Sequence, residues 1–289
     1  FFIRITPESS LKSFSLFADQ RVTIFGATET AVSFSSSDSN SSFQLTNIEF
    51  VNCTTATDSP PGLLIDTPGS ISFAQIVFSN MASSGSCGGL SIQYYPTTTA
   101  TLESVIFINT RAEINGGALC VYGSTGVDIS FEIPGFQNCY AGVNGGALYI
   151  RGPGSFEVTK ILNSLDSKAG FGGILFAEEF DKFSVSDSEF DFSSATVGPY
   201  TVQNGAIYCT SSIPSAVVEV NNVVVRRSNV VGNGAGFYFH RVSRVSVTES
   251  YFSACSTMTG IGGALLFNSV DTIEIAQCEF SQNTANAGT

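Results

Sequence analysis

The segments NGGALCV at 115–121 and NGGALYI at 144–150 repeat one another almost residue for residue, 29 positions apart. Related segments with a Gly-Gly or Gly-Ala pair followed by apolar residues recur at 87–92, 171–176, 204–209, 233–239 and 261–267. Counted from the first glycine of each motif, or from Asn204 in the degenerate copy, the positions are 88, 116, 145, 172, 204, 234 and 262, and the period is about 29 residues. A fixed period of this length is typical of a solenoid, in which each repeat is one supersecondary unit.

A second set of positions has the same period and consists mainly of phenylalanine. Around these positions apolar and polar residues alternate with period two, as in SFQLTNIEF at 42–50, which indicates strands. Three short strands and three turns fit into one repeat, and stacked repeats pair like strands in parallel. The pattern therefore predicts an all-β chain, a right-handed parallel β-helix of about ten coils. The phenylalanine column is Phe50, Phe78, Phe107, Phe136, Phe190, Phe252 and Phe280, with Asn163 or Ile161 and Val225 in its gaps.

We assign residues 25–289 to one domain of repeats with an open C-terminal end, and residues 1–24 to an N-terminal strand and cap region. A polar residue lies six positions before each member of the phenylalanine column. Wherever this residue is a carboxylate, its neighbours one coil away are uncharged, because like charges about 5 Å apart would repel. The polar column is Gln44, Ser72, Thr101, Ser130, Glu157, Ser184, Glu219, Ser246 and Glu274.

Asparagines follow the phenylalanine column by two residues in four consecutive coils, at Asn52, Asn80, Asn109 and Asn138. We interpret them as a buried ladder, in which each side-chain amide bonds the coils above and below. The alternative is that they serve only as turn formers.

Composition excludes several classes of function. The chain has 24 acidic and 12 basic residues, a net charge of −12, which argues against nucleic acid as a partner. Disorder is excluded because 43% of the residues are hydrophobic and few are charged. No apolar run approaches the roughly 18 residues of a membrane span, so we predict no transmembrane segment.

Seven cysteines without a CxxC pair favour partial disulfide formation in an oxidising compartment, and hence an extracellular or cell-surface location. Cys53 and Cys87 fall in turns of neighbouring coils and are the preferred disulfide, with Cys255–Cys278 a second possibility. Asn40 and Asn52 match the N-glycosylation pattern N-x-S/T. Asn40 is the better candidate, because Asn52 belongs to the predicted buried ladder.

The alternation of a GGA motif with a Phe-and-Asn motif resembles the polymorphic outer-membrane-protein repeats of bacterial autotransporters, which are also found in surface proteins of some protists. The resemblance extends from about residue 50 to the C-terminus. The chain departs from the family in the second motif, because the family has Phe-x-x-Asn, matched only by FSQN at 280–283, and most copies here are Phe-x-Asn. The resemblance implies a surface-exposed, adhesive or structural β-helix without catalysis.

Many parallel β-helices are polysaccharide lyases or glycoside hydrolases, so a carbohydrate-active enzyme or glycan-binding module is the alternative function. Those reactions need paired carboxylates at a groove, or Ca²⁺ with a basic residue. We predict no catalytic residue, metal or cofactor, because His240 lacks a nucleophile motif and no Gly-Gly motif opens a helix. The densest acidic region, a solvated face in our interpretation, contains Glu178, Glu179, Asp181, Asp187, Glu189 and Asp191.

An aromatic stripe is predicted on the outside of the strands that follow the glycine motifs, at Tyr149, Phe176, Tyr208 and Tyr238. If the residues before them face inward, these rings are exposed and suited to stacking on sugars or on another subunit. Coverage by the chain's own loops is the alternative.

The chain ends suggest self-association. FFIRI at 1–5 reads as an orphan strand, and the repeat stops at 289 where another glycine motif is due. We hypothesise that 1–5 of one subunit completes the open coil of another, which would give a head-to-tail filament or surface assembly. The alternative is a fragment of a longer repeat protein. The predicted interface comprises Phe1, Phe2, Ile3, Ile5, Asn283 and Thr289.

Overall fold

The computed structural model describes residues 3–5, 13–132, 135–161, 164–165, 167–191, 194–195 and 205–287. These residues form strands and turns without a helix, and the strands stack in parallel as a β-solenoid of about nine turns. The predicted parallel β-helix is confirmed, and the prediction of about ten coils is close.

Of the strands in the described residues, 24 belong to one continuous sheet, and four short ones form a second sheet. In chain order the strands are β1 (Ile3–Ile5), β2 (Ser13–Phe25), β3 (Val32–Ser35), β4 (Ser42–Val51), β5 (Thr54–Thr55), β6 (Leu63–Asp66), β7 (Ser70–Ser83), β8 (Leu90–Gln93), β9 (Thr99–Ala112), β10 (Leu119–Tyr122), β11 (Val127–Glu132), β12 (Gly135–Gln137), β13 (Tyr140–Ala141), β14 (Leu148–Arg151), β15 (Gly154–Thr159), β16 (Ser164–Leu165), β17 (Leu175–Glu178), β18 (Lys182–Asp191), β19 (Ser194–Ala195), β20 (Ile207–Thr210), β21 (Val217–Arg226), β22 (Asn229–Val230), β23 (Phe237–Thr248), β24 (Tyr251–Ser253), β25 (Ser256–Thr257), β26 (Leu265–Ala276), β27 (Glu279–Ser281) and β28 (Thr284–Ala285).

The coils present three main faces. Face 1 is built by β1, β3, β6, β8, β10, β14, β17, β20 and the first parts of β23 and β26. Face 2 contains the first parts of β2, β4, β7, β9, β18 and β21, all of β11 and β15, and the last parts of β23 and β26. Face 3 contains the last parts of β2, β4, β7, β9, β18 and β21, together with β12, β16, β24 and β27.

Left-handed residues at the corners turn the chain from one face to the next. A non-glycine residue in this conformation costs about 1–2 kcal/mol, so packing between coils must hold each corner in place. Between faces 2 and 3 the corner residues include Asn47, Gln75, Ser104, Lys160, Asp187, Asn222, Glu249 and Gln277, with φ between 49° and 61°. After face 3 they include Asn52, Asn80, Asn109, Asn138, Arg227, Ala254 and Gln282, and before face 1 they are Cys87, Gly116, Gly145, Gly172, Gly234 and Gly262.

The phenylalanine column lies inside the solenoid, as predicted. Phe50 stacks on Phe78 with ring centroids 4.9 Å apart, Phe78 on Phe107 at 4.9 Å, and Phe107 on Phe136 at 5.4 Å. All four rings are fully buried. Val225 fills its predicted gap, because it pairs in register with Phe190 and Phe252. In the other gap the residue in register is Ser164, which pairs with Phe136 and Phe190. Ile161 does not occupy this position, and Asn163 lies outside the described residues.

The polar column is also confirmed, and it lies on the outside of face 2. The register pairs Ser130 with Glu157, Glu157 with Ser184, and Ser184 with Glu219. It continues through Ser246 to Glu274. Each carboxylate is thus separated from the next by a hydroxyl one coil away, which keeps like charges apart.

Truncation within the phenylalanine column should cost most where the ring has neighbours on both sides. Phe78→Ala should lower the free energy of unfolding by about 3–5 kcal/mol, because it leaves a cavity between two stacked rings. Phe280→Ala, in the same column but 45% exposed, should cost about 1 kcal/mol. Urea unfolding followed by circular dichroism measures both, and equal losses would contradict the stacked column.

Candidate functional site

The predicted aromatic stripe lies outside the face-1 strands but is not exposed, so the prediction of an exposed stripe is wrong. Tyr149, Phe176, Tyr208 and Tyr238 retain between 2% and 7% of their accessible surface. Phe176 stacks on Tyr208 with ring centroids 5.0 Å apart, and Tyr208 meets Tyr238 edge to face at 4.8 Å. With Cys87 and Cys120 these rings form a second hydrophobic core, separate from the interior of the solenoid.

The chain's own glycine corners cover these rings. A Cβ added at Gly116 would lie 2.7 Å from the Sγ of Cys120, and one at Gly234 would lie 3.1 Å from the Cβ of Tyr238. A side chain added at either of these two corners would crowd the atoms beneath it, so glycine lets the corner lie this close. Phe171, from one such corner, adds edge-on contacts to Phe176 and Tyr208. The stripe is therefore a packing element, as the alternative interpretation proposed.

The rim of this second core carries polar contacts. The hydroxyl of Tyr149 donates to Glu178 Oε1, and the same oxygen forms an ion pair with Arg151 Nε at 3.5 Å. Burial raises the pKa of Tyr149, and the bond to Glu178 raises it further, because both favour the neutral phenol. Burial likewise raises the pKa of Tyr122 to about 12. These phenols remain protonated at neutral pH.

The disulfide joins Cys87 to Cys120, so the predicted Cys53–Cys87 pair is wrong. The register pairs Leu90 with Leu119, which places Cys87, and not Gly88, at the corner that Gly116 occupies in the next coil. From this corner the Cys87 side chain reaches outward to Cys120, at the head of the aromatic column. Cys53 lies after a different corner and faces the interior, where its thiol is fully buried. The sequence feature that indicates Cys120 as the partner is its position, because it lies in the same outward column as Tyr149 and Phe176.

The five remaining cysteines are free thiols, so Cys255–Cys278 does not form either. Three of them occupy an interior position, three residues after a member of the phenylalanine column. Each thiol donates a weak hydrogen bond to a backbone carbonyl in the preceding coil, at the position of the phenylalanine column. The pairs are Cys53 to Ile24 at 3.8 Å, Cys139 to Phe107 at 4.0 Å and Cys255 to Val225 at 3.8 Å. Burial raises the pKa of all three thiols, which opposes formation of a reactive thiolate.

The asparagines form a ladder, but it lies on the outside of the corner, so the predicted buried ladder is wrong. Asn138 Nδ2 donates to Asn109 Oδ1 at 3.1 Å, and Asn109 Nδ2 donates to Asn80 Oδ1 at 3.0 Å. Asn52, Asn80, Asn109 and Asn138 are all exposed. A left-handed residue interrupts the alternation of inward and outward side chains, so the next residue, and not the asparagine, faces the interior.

Both predicted glycosylation acceptors lie on the surface. Asn40 is exposed in a turn, and Asn52 is exposed at its corner. The objection that a buried ladder would shield Asn52 therefore no longer applies. Glycosylation of either residue stays a prediction.

The acidic region is balanced by arginines one coil away. Arg226 Nη1 donates to Glu189 Oε1 at 2.9 Å, and Arg227 donates to Asp191 through two nitrogens. Asp187 Oδ1 accepts from Asn222 Nδ2 at 2.7 Å. Exposed pairs of this kind contribute at most about 1 kcal/mol each, so they chiefly neutralise charge along the stack.

His240 lies on face 1, and its register neighbours are Thr210 and Asn268. Its Nδ1 is buried without a hydrogen-bond partner. Burial, together with the nearby charge of Arg241, lowers the pKa of His240. The structure brings no cysteine or serine to His240 in this register.

A shallow depression of about 450 Å³ lies on face 2. Lys182 Nζ and Glu219 Oε2 form an ion pair 2.8 Å apart at its edge. Its polar lining consists of Asp128, Ser155, Glu157, Lys182, Ser184, Ser186, Glu219 and Asn221.

The two ends of the solenoid differ from the predicted arrangement. β1 is not an orphan strand, because Ile3, Arg4 and Ile5 pair in parallel with Val32–Phe34 of the same chain. Phe1, Phe2 and Thr289 lie outside the described residues.

Asn283, the asparagine of the one Phe-x-x-Asn motif, faces the preceding coil. Its Nδ2 donates to the Phe252 carbonyl at 2.9 Å, and its Oδ1 accepts from the Cys255 amide at 2.9 Å. It is thus engaged within its own chain.

Comparison with known proteins finds no matching family model, no matching curated protein and no matching solved structure. Within the described residues, no helix is long and apolar enough to cross a membrane. The same residues contain no group of three or more His, Cys, Asp or Glu side chains placed to hold a metal ion.

Loss of the disulfide should destabilise the solenoid measurably. Replacing Cys87 and Cys120 with Ser should lower the free energy of unfolding by about 3–4 kcal/mol, because the crosslink spans 33 residues. Urea unfolding measures the difference, and a reductant should then have no further effect on the double variant. If reduction leaves the free energy of unfolding of the wild-type chain unchanged, the disulfide does not stabilise the fold.

Alkaline pH should weaken the second core. An unfolded tyrosine has a pKa near 10, whereas burial raises the pKa of Tyr122 to about 12. The stability linked to this phenol is therefore complete below pH 10 and is lost as the pH rises from 10 to about 12. Unfolding midpoints across this range should fall less steeply in Tyr122→Phe than in the wild type, and identical slopes would contradict the prediction.

Proposed function

We propose that this chain is a structural or adhesive β-solenoid of the cell exterior and a subunit of a head-to-tail or surface assembly. The observation that carries the proposal is the continuous stack of parallel coils, in which 24 of the described strands form one sheet. The rings of Phe50, Phe78 and Phe107 stack through its interior. Such a stack presents an extended surface along its length, which suits a structural or adhesive role.

The proposed location is supported by the cysteines and the surface asparagines. A Cys87–Cys120 disulfide is characteristic of an oxidising compartment. Asn40 and Asn52 are accessible to a glycosylation machinery. The resemblance to polymorphic outer-membrane-protein repeats favours the same location and an adhesive role.

A second candidate function is glycan binding or carbohydrate chemistry on face 2. The depression there presents hydroxyls, an amide and the carboxylates Glu157 and Glu219, which lie two coils apart in one column. Saturable binding of a polysaccharide that is lost in Glu157→Gln and Glu219→Gln would favour this candidate.

Peptide mapping of protein isolated from its native source under alkylating conditions tests the proposed location. We expect Cys87 and Cys120 to be linked, five alkylated thiols after unfolding, and glycan on Asn40, Asn52 or both. Alkylation of Cys87 and Cys120 with both asparagines unmodified would contradict an extracellular protein.

A further inference from the structure

Two neighbouring coils in the middle of the stack are paired on faces 1 and 3 but not on face 2. On face 1, β8 pairs with β10, and on face 3 the last part of β9 pairs with β12. On face 2, residues 99–103 of β9 pair with β7, and β11 pairs with β15. Among the described strands, no ladder joins β9 to β11 on this face. We call the boundary between residues 99–103 and 127–132 the seam.

The other face-2 boundaries of the described residues all carry a parallel ladder. At the seam, in contrast, β9 and β11 each present one edge whose amides and carbonyls have no strand partner. Such groups must bond to water, because a backbone polar group left without any partner costs free energy. The seam is therefore the place on face 2 where solvent competes with the stack.

A depression of about 440 Å³ lies on the seam. Its lining includes Thr101 and Glu103 from β9, and Ser130 and Glu132 from β11. At about 30 Å³ per molecule, this volume has room for several waters. Water can thus reach the two unpaired strand edges from outside the solenoid.

The interior packing is thinner at the same place. Ala100 occupies the face-2 interior column at the seam, where its register partner on β7 is Ile71. Ile129 follows 29 residues later on β11. Ile71 and Ile129 are 2% and 4% exposed, but Ala100 is only partly buried. Because a methyl group buries less apolar area than a branched side chain, the two coils gain less from contact here.

Like charges meet across the seam. Glu103 and Glu132 are both exposed, lie 29 residues apart and line the same depression. Carboxylates on neighbouring coils repel each other, whereas the carboxylates of the polar column have hydroxyls as neighbours. Lys160 Nζ pairs with Glu132 Oε2 at 3.0 Å and offsets part of this charge.

We infer that the seam is a hinge, at which face 2 opens and closes while faces 1 and 3 stay paired. Repulsion between Glu103 and Glu132 and the small side chain of Ala100 favour the open form. On the face-3 side the stacked rings of Phe107 and Phe136 keep the same two coils in contact. The solenoid can thus bend at one point without losing its continuous core. This inference is separate from the proposed function, which the peptide mapping tests.

Hydrogen exchange of the wild-type chain tests whether the seam is open. We expect about half of the β11 amides to exchange fast, because alternate residues of a parallel strand bond to opposite neighbours. β15 is paired on both edges and should stay protected. Protection of β10 and β12 would show that the opening is confined to face 2. A β11 strand as protected as β15 would overturn the inference.

Substitution of Glu103 tests the part that charge plays. Glu103→Gln removes the like-charge pair at nearly constant size, so fast exchange in β11 should slow about two- to fivefold. Glu103→Lys should slow it further, because attraction to Glu132 replaces repulsion. Glu157→Gln is the matched control, since its neighbours in the polar column are Ser130 and Ser184, and it should leave β11 unchanged. Exchange that is the same in the wild type and in both Glu103 variants would overturn the role of repulsion.

Introduced cysteines test whether the seam closes. Thr101→Cys combined with Ser130→Cys places two thiols across it, and closure brings their Cα atoms to about 5 Å, within the range of a disulfide. We expect this pair to crosslink and to slow exchange in β11. Ser72→Cys combined with Thr101→Cys spans a paired boundary and should crosslink without changing β11. If only this control pair crosslinks, the seam does not close and the hinge is overturned.

Discussion

Every coil of this chain can bury its interior side chains only against the coils on either side of it. A single coil of about 29 residues encloses too little volume to form a core. The packing therefore depends on position-by-position agreement between neighbouring coils, as in the ring stack from Phe50 to Phe136. The low charge and the phenylalanine-rich composition follow from this constraint, because each side chain meets near copies of itself.

The same constraint explains the features outside the solenoid wall. The left-handed corner before face 1 lies over the outer side of the face-1 strands. The aromatic column on that outer side is therefore buried as well, and its rings pack against those of the neighbouring coils. Cys87 occupies this corner in place of glycine and forms a disulfide with Cys120, which fastens one coil to the next. At the corner after face 3, the exposed asparagines link coils through their side-chain amides.

The parts of this fold that the sequence predicted are those within strands. Periodicity located Phe78 inside and Glu157 outside, because alternation holds along a continuous strand. It failed at the corners, where a left-handed residue shifts the alternation by one. The pattern therefore predicts that Asn52 faces the interior, although it is Cys53 that does so. It likewise aligns Gly88 with Gly116, although it is Cys87 that occupies the corner equivalent to Gly116. The prediction that the aromatic stripe is exposed fails for another reason. Alternation shows on which side of a sheet a side chain lies, but it does not show whether another part of the chain covers that side.

The central claim is that each coil is held in place by the coils on either side of it. Hydrogen exchange of the wild-type chain and of Phe78→Ala tests it most directly. The account predicts that amides of β4 and β9 lose protection together with those of β7, because Phe78 stacks on Phe50 of β4 and on Phe107 of β9. Loss of protection confined to β7 would contradict the account.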